Sequence, residues 1–264
     1  MRTRQPRVDL LSKVPEVTLA FWIIKICATT VGETGGDALS MTLRLGYGVS
    51  TLIFLAFFVV SLSAQVIARR FHAFLYWAVV VATTTVGTTT SDYLDRTLGL
   101  GYVKSSIIEF LGVIAALVVW HFAMGRIEFE NIEDRKDEIF YWVTILLSNT
   151  LGTALGDFVA TTTGLGFERG ALVFAALLAI VALLHYYTKI ASSLLFWAAY
   201  VLTRPLGATL GDTLDKPHTQ GGLQLGRFVA SGVIAGAMIL GIILTEMIPR
   251  WKAQQENRAD NRAS

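Results

Sequence analysis

The chain has 264 residues, of which 53% are hydrophobic and 16% are charged, and its formal net charge is +2. A typical soluble domain carries about a quarter charged residues, and the mean hydropathy here is +0.56, so the composition excludes a disordered chain and an ordinary soluble domain. The small net charge gives no indication of a nucleic-acid partner. The single cysteine, Cys27, excludes an internal disulfide framework.

Four segments of the chain align on a tryptophan without gaps, which indicates an internal repeat. Each tryptophan is followed ten residues later by a glycine and fifteen residues later by an aspartate. The tryptophans are Trp22, Trp77, Trp142 and Trp197. The predicted repeats cover about 13–70, 71–125, 136–188 and 190–250. They form a single predicted transmembrane domain over 1–250, which a polar cytoplasmic tail follows over 251–264.

Each repeat contains two apolar blocks of about 20 residues, the length that a helix needs to cross a bilayer. The first block predicts an A helix, over 16–36, 73–91, 138–156 and 192–211. The second predicts a B helix, over 47–68, 104–124, 167–188 and 226–248. The predicted fold class is therefore an all-α integral membrane protein with eight transmembrane helices. The charged run from Arg126 to Glu138 is interpreted as a solvated linker between the two halves.

Lysine and arginine residues are unevenly distributed, with fourteen on the side of both termini and six on the opposite side. The positive-inside rule therefore predicts cytoplasmic termini. Because every repeat crosses twice, the four repeats are parallel, which allows a pseudo-fourfold axis along the membrane normal. Small residues spaced four apart predict that A helices pack closely inside and B helices lie outside. The predicted packing glycines are Gly32, Gly36, Gly87, Gly152, Gly156, Gly207 and Gly211.

The segment KVPEVTLAFWIIKICATTVGETGGD near the start, and its Gly-Asp-containing partners in the later repeats, resemble a known family. It is a family of bacterial membrane proteins with four tandem copies of a two-helix repeat marked by a tryptophan, a repeat of unknown function. The resemblance covers the chain from about Lys13 to about Arg250. It implies a multi-pass protein of the bacterial inner membrane, in contact with the lipid bilayer, and supplies no substrate.

Polar residues recur in the A helices at positions 3, 7, 11 and 15 after the tryptophan, a spacing that keeps side chains on one slowly drifting face. Polar groups are costly in lipid, so this polar stripe should point inward. Asp95 and Asp215 extend it, and in total it carries seven acids against two bases. The predicted ion-binding or translocation residues are Glu33, Asp37, Asp92, Asp95, Asp157, Asp212, Asp215, Thr29, Thr88, Asn149 and Thr153.

The two bases of the polar stripe, Lys25 and Arg204, are predicted to act as tethered counter-ions to these acids. An Arg204→Ala variant is then expected to fold but to turn over slowly. Glu16 is interpreted either as an acid stabilised by the start of the first helix or as part of a cytoplasmic gate with Lys25. The alternative for the aspartates is structural, since a glycine before an aspartate can end one helix and cap the next segment.

The oxygen ligands of the stripe favour a hard ion such as Mn²⁺, Mg²⁺, Ca²⁺, Na⁺ or H⁺, and analogy with small bacterial carriers favours Mn²⁺ among the divalent ions. The leading hypothesis is a transporter of such a cation, with export as one option. Because no ATP-binding loop is present in the sequence, the transporter is expected to be secondary. The alternatives are a proton-coupled carrier of a small organic solute, held by Lys25 and Arg204, and a non-transporting membrane scaffold or sensor. Neither an enzyme activity nor a cofactor is expected.

Overall fold

The computed structural model describes residues 15–68, 71–127, 135–220 and 222–247, and within them the chain is all-helical. Eight α-helices follow one another close to the predicted bounds: α1 (Leu19–Asp37), α2 (Gly46–Ile67), α3 (Ala73–Asp92), α4 (Tyr102–Met124), α5 (Arg135–Asp157), α6 (Phe167–Tyr187), α7 (Ser192–Asp215) and α8 (Arg227–Ile242). The predicted cytoplasmic tail, 251–264, and the basic residues before 15 lie outside the described residues.

The first three A helices do not end at their repeated aspartates. They continue into π-helical turns of five residues, at Ala38–Thr42, Tyr93–Thr97 and Phe158–Thr162. The aspartate before each turn makes no capping hydrogen bond with its side chain. The interpretation of these aspartates as helix caps therefore does not fit the backbone.

The B helices begin after a glycine with positive φ at the same place in each repeat. These glycines are Gly46, Gly101, Gly166 and Gly226, with φ between 74° and 80°. Only glycine adopts this conformation without strain, which explains why a glycine occupies this place in all four repeats. The turn reverses the chain so that each B helix can run back beside the bundle.

The A helices pack against one another in a closed cycle. Helix α1 packs on α3 and α7, and α5 packs on the same two helices from the other side. We call α1, α3, α5 and α7 the ring helices, and α2, α4, α6 and α8 the outer helices. Each outer helix packs mainly on the ring helix of the next repeat: α2 on α3, α4 on α5, α6 on α7, and α8 on α1. The repeats therefore interlock, and α8 closes the cycle on α1.

Glycines lie where neighbouring ring helices approach most closely. Gly32 faces Thr84, Gly152 faces Arg204, and Gly207 faces Thr29. A Cβ atom added at Gly87 would lie 2.9 Å from the backbone carbonyl carbon of Asn149, a distance that a side-chain movement cannot relieve. The predicted packing glycines one turn further on also lie at these contacts: Gly36 beside Thr88, Gly156 beside Ala208, and Gly211 beside Glu33.

Within the part of the chain that the structure describes, six helical segments are long and apolar enough to cross a membrane: Gly46–Ile67, Ala73–Thr97, Tyr102–Met124, Arg135–Thr162, Phe167–Tyr187 and Arg227–Thr245. The apolar windows of the outer helices are at most 22% buried, compared with 67% for the windows of α3 and α5. Exposed leucine, isoleucine, valine and phenylalanine side chains cover the outer helices. Such a surface is typical of a multi-pass membrane protein.

The prediction that the charged run from Arg126 to Glu138 is a solvated linker is wrong for the last residues of the run. Helix α5 begins at Arg135, and Asp137 and Glu138 in its first turn are buried. The indole N–H of Trp120 donates a hydrogen bond to Asp137 Oδ1 over 2.8 Å. Because a buried indole N–H needs an acceptor, this part of the charged run anchors α5 to α4. Residues 128–134 of the run lie outside the described part of the chain.

Candidate functional site

One polar residue from each ring helix meets at the centre of the ring, and we call Glu33, Thr88, Thr153 and Arg204 the central layer. Arg204 is completely buried, and its Nη2 lies 2.8 Å from Glu33 Oε2. The same nitrogen donates to Thr153 Oγ1 over 2.7 Å and also contacts the Thr88 hydroxyl. Nη1 donates to the backbone oxygen of Thr29 over 3.4 Å. The central layer therefore joins all four ring helices through one buried ion pair.

The buried position of Arg204 changes the expected effect of Arg204→Ala from slow turnover in a folded protein to a loss of stability. Removing one partner of a buried ion pair leaves the other charge uncompensated in a low-dielectric environment. Glu33 would lose its arginine, and it would keep only a 3.3 Å hydrogen bond from Thr88 Oγ1. Arg204 is therefore part of the structural core of the ring as well as a counter-ion.

The second predicted base has a different environment. Lys25 is completely buried, and its Nζ lies 3.4 Å from Asn149 Oδ1 and 4.2 Å from the centre of the Tyr200 ring. Asn149 is oriented by a 3.0 Å hydrogen bond from its Nδ2 to Thr83 Oγ1. Among the described residues no ion pair joins Lys25 to an acid, including Glu16, which is exposed ahead of α1. The structure therefore does not bring Lys25 to the repeated acids.

Aromatic side chains fill the ring beyond Lys25. The Tyr76 and Tyr141 hydroxyls lie 2.9 Å apart, and the Tyr76 ring lies 5.3 Å from the Trp77 ring. Trp77 and Trp142 are buried in the same cluster. The repeated tryptophans therefore serve the packing of this end of the ring, as a buried amphipathic aromatic side chain usually does.

The four repeated aspartates lie at the opposite end of the ring helices, and all four are buried: Asp37, Asp92, Asp157 and Asp212. We call them, with Asp215, the acidic layer. On one side of this layer Arg96 lies between Asp92 and Asp157. Its Nε is 3.2 Å from Asp92 Oδ1, and its Nη2 is 2.9 Å from Asp157 Oδ2. This arginine therefore neutralises much of the charge that α3 and α5 contribute.

On the other side, Lys216 and Arg227 approach the remaining three acids. Lys216 Nζ lies 2.9 Å from Asp37 Oδ2 and 3.0 Å from Asp212 Oδ1. Arg227 Nε lies 2.8 Å from Asp215 Oδ2 and 3.4 Å from Asp37 Oδ2. Burial alone lowers the pKa of an ammonium group, but the carboxylates of Asp212, Asp37 and Asp215 outweigh burial and raise the pKa of Lys216. Lys216 therefore carries a positive charge in this site.

Arg96, Lys216 and Arg227 are among the six bases predicted on the side opposite the termini, and none of them is among the predicted site residues. Two of them had a recognisable signal, because Arg96 follows Asp92 by four residues and Lys216 follows Asp212 by four. That spacing places side chains on the same face of a helix. With Arg96, Lys216 and Arg227 added to Arg204, four bases face Glu33 and the five acids of the acidic layer, so the excess of negative charge is smaller than predicted.

Asp95 and Asp215, which extend the predicted stripe, have different positions. Asp215 belongs to the acidic layer, whereas Asp95 accepts a hydrogen bond from the Ser105 hydroxyl of α4 and lies outside it. The physical reason is the π-helical turn Tyr93–Thr97, which has more residues per turn than an α-helix. Helix α7 remains α-helical to Asp215. The structure therefore does not bring Asp95 together with the repeated aspartates.

A group of three carboxylates in the acidic layer has the geometry to hold a metal ion. One oxygen from each of Asp37, Asp212 and Asp215 lies within 4.8 Å of the others. Asp37 Oδ1 is buried and has no hydrogen-bond partner. Carboxylate oxygens suit hard cations such as Mn²⁺, Mg²⁺ and Ca²⁺. In the present arrangement the ammonium of Lys216 lies between two of the three carboxylates.

These features define an all-helical membrane protein built from interlocking two-helix repeats around a charged, closed interior. The chain belongs to the family described as Repeat of Unknown Function (DUF347), whose model matches residues 20–71, 75–126, 140–191 and 195–245. Each match covers one ring helix and the outer helix that follows it. The match confirms the predicted resemblance and the four tandem repeats. No curated protein and no solved structure matches the chain.

Proposed function

We propose that this protein is a secondary transporter of a hard cation in the bacterial inner membrane. In this proposal all eight helices cross the bilayer, both termini are cytoplasmic, and the ring helices surround a pseudo-fourfold axis along the membrane normal. The closed cycle of contacts among the ring helices and the apolar surface of the outer helices support this arrangement. Ionisable residues inside a membrane bundle are costly and usually mark an ion or substrate path.

The observation that carries the proposal is the position of the Lys216 ammonium between Asp37 and Asp212. The carboxylate of Asp215 lies in the same cluster of three aspartates. Lys216 Nζ lies 2.9 Å from Asp37 Oδ2 and 3.0 Å from Asp212 Oδ1, and this tethered positive charge supports a cation site at the same carboxylates. Displacement of Lys216 would free Asp37 and Asp212 for a metal ion, and Arg227 would also have to move away from Asp215 before that carboxylate could join them. Lys216 then acts as an internal cation that occupies the site whenever the metal is absent.

The central layer forms the barrier between this site and the other end of the ring. Arg204 repels an approaching cation, and its hydrogen bonds to Thr88 and Thr153 close the space between the ring helices. For a cation to pass, Glu33 must exchange Arg204 for the ion. Such an exchange keeps the charge of the interior balanced, which avoids the cost of an isolated charge in a low-dielectric medium.

Purified protein reconstituted in liposomes is expected to take up radioactive Mn²⁺, with Mg²⁺, Ca²⁺ and Na⁺ tested as competitors. Asp212→Asn should lower the uptake rate at least about tenfold, because it removes one of three metal ligands. Glu168→Gln is the matched control, since Glu168 is an exposed acid at the start of α6. Equal uptake by the wild type and Asp212→Asn, or no ion uptake at all, would contradict the proposal, and the latter would favour a scaffold or sensor.

Lys216→Ala should tighten Mn²⁺ binding by about tenfold or more, equivalent to about 1.4 kcal/mol. The variant removes both a competitor for the carboxylates and a positive charge close to the incoming ion. Titration calorimetry of the purified protein in detergent measures the affinity. Lys189→Ala provides the control, because Lys189 is exposed beyond the end of α6. Weaker Mn²⁺ binding in Lys216→Ala would show that Lys216 is not a competitor for a metal ion.

A second candidate is a carrier of a small organic anion, and the environment of Lys25 favours it. Lys25 has no acidic partner among the described residues, and the nearby Tyr200 hydroxyl is buried without a hydrogen-bond partner. A ligand carboxylate would satisfy both groups. Uptake of labelled carboxylic acids that is lost in Lys25→Met, without Mn²⁺ uptake by the wild type, would establish this alternative.

A further inference from the structure

Two buried acids lie outside the acidic layer, Glu109 on helix α4 and Asp95 in the turn Tyr93–Thr97. Glu109 is 6% exposed, and both of its carboxylate oxygens are buried without a hydrogen-bond partner among the described residues. The helix around it is among the most apolar of the chain, with a mean hydropathy of 2.1. When the repeats are aligned on the positive-φ glycines, the positions equivalent to Glu109 hold Phe54, Phe174 and Ile234. The acid is therefore a specific feature of the second repeat.

Asp95, in the turn Tyr93–Thr97, contacts α4 one helical turn before this position. Its Oδ1 accepts a hydrogen bond from the Ser105 hydroxyl, and its Oδ2 accepts one from Ser91 over 3.4 Å. Ser105 precedes Glu109 by one helical turn, so Asp95 lies against the face of α4 that carries Glu109.

No base among the described residues forms an ion pair with Asp95 or Glu109. From the π-helical turn beside Asp95, Arg96 instead pairs with Asp92 and with Asp157 of α5. Lys104, on α4 itself, is exposed. Burial and mutual repulsion both disfavour two ionised carboxylates that have no base in ion-pair contact, so the pair favours a state in which one carboxyl group is protonated.

We propose that Asp95 and Glu109 form a proton-binding site between α4 and the turn Tyr93–Thr97, and that the two carboxyl groups share one proton. On protonation, one O–H bond forms on Glu109 from a proton of the solvent, and the pair changes from two negative charges to one. The hydroxyls of Ser91 and Ser105 continue to hold Asp95 as the ionised member. The site does not depend on the cation site, and it would supply a coupling ion to the proposed transporter.

Infrared difference spectroscopy of the full-length protein in lipid membranes tests the proposal without any transport measurement. A protonated carboxylic acid has a C=O stretching band that is separate from the bands of carboxylates. We expect this band in the wild type at neutral pH, its loss in Glu109→Gln, and a change of its frequency in Asp95→Asn, which replaces the neighbouring carboxylate by an amide. Glu168→Gln, an exposed acid, should leave the band unchanged.

A second measurement uses the wild type and so does not depend on the folding of a variant. A hydrophobic carbodiimide reacts with a protonated carboxylic acid to give a stable N-acylurea, which mass spectrometry locates in the sequence. We expect modification of Glu109 at neutral pH and a decrease in modification as the pH rises. A C=O band that persists in Glu109→Gln, or an absence of both the band and the modification in the wild type, would overturn the proposal.

Discussion

Arg204→Ala should destabilise the protein by about 3–5 kcal/mol, the range for breaking a buried ion pair by removing one partner. The variant leaves Glu33 buried without its arginine, and it also removes the hydrogen bonds that Arg204 donates to Thr88 and Thr153. The unfolding free energy is measured by denaturant titration of the purified protein in mixed micelles. Arg169→Ala is the matched control, because Arg169 is exposed on α6.

A double variant separates the uncompensated charge from the loss of packing. Glu33→Gln combined with Arg204→Leu removes both charges, so it should recover part of the stability that Arg204→Ala loses. If Arg204→Ala changes the unfolding free energy by less than about 0.5 kcal/mol, as a surface substitution does, the central layer does not hold the ring helices together.

Gly207→Ala should destabilise the ring by about 1–3 kcal/mol, the usual cost of overpacking a close contact. A Cβ atom at this position would overlap the Thr29 side chain and lie 3.0 Å from the Thr29 backbone carbon. In Gly236→Ala, by contrast, the new methyl group meets nothing within 4 Å. That control should stabilise α8 by about 0.5–1 kcal/mol, because alanine loses less backbone entropy in a helix. Equal effects of the two substitutions on thermal unfolding would contradict the close contact between α7 and α1.

The eight helices were predictable because the same sequence pattern recurs four times along the chain. The tryptophan, glycine and aspartate spacing fixes the register of the repeats, and the apolar blocks fix the helix bounds to within a turn. The packing of each outer helix on the next repeat was not predictable. The outer helices are apolar around most of their surface, so their sequences give no preference for one neighbouring ring helix over another.

The polar stripe predicted that acids and bases share the interior, but it did not predict their pairing. Glu33 and Arg204 are four positions apart in the repeat alignment, and they meet because they lie on neighbouring helices. Lys25 occupies the same stripe, yet it contacts Asn149 and Tyr200. Which residues meet depends on the relative heights and rotations of the helices, which spacing within one helix does not determine.

The contacts of Lys216 and Arg227 with the acidic layer were not predictable, for a different reason. Lys216 follows α7, and Arg227 begins α8, in the one repeat whose connecting turn is longer than in the others. Sequence analysis assigns such residues to a loop, where bases are common and usually solvated. Their contact with Asp37, which lies far away in the chain, follows only from the closure of the ring between the fourth and first repeats. Glu109 was missed because a single acid in an apolar helix has no counterpart in the other repeats.

The position of a bound cation is the most direct test of the proposed function. A crystal structure of the protein grown with Mn²⁺ would locate the ion through its anomalous scattering. The proposal predicts a peak between the carboxylates of Asp37, Asp212 and Asp215, with the Lys216 ammonium moved away from Asp37 and Asp212. A fully occupied Lys216 ion pair in the presence of excess Mn²⁺, with no peak among the ring helices, would contradict it.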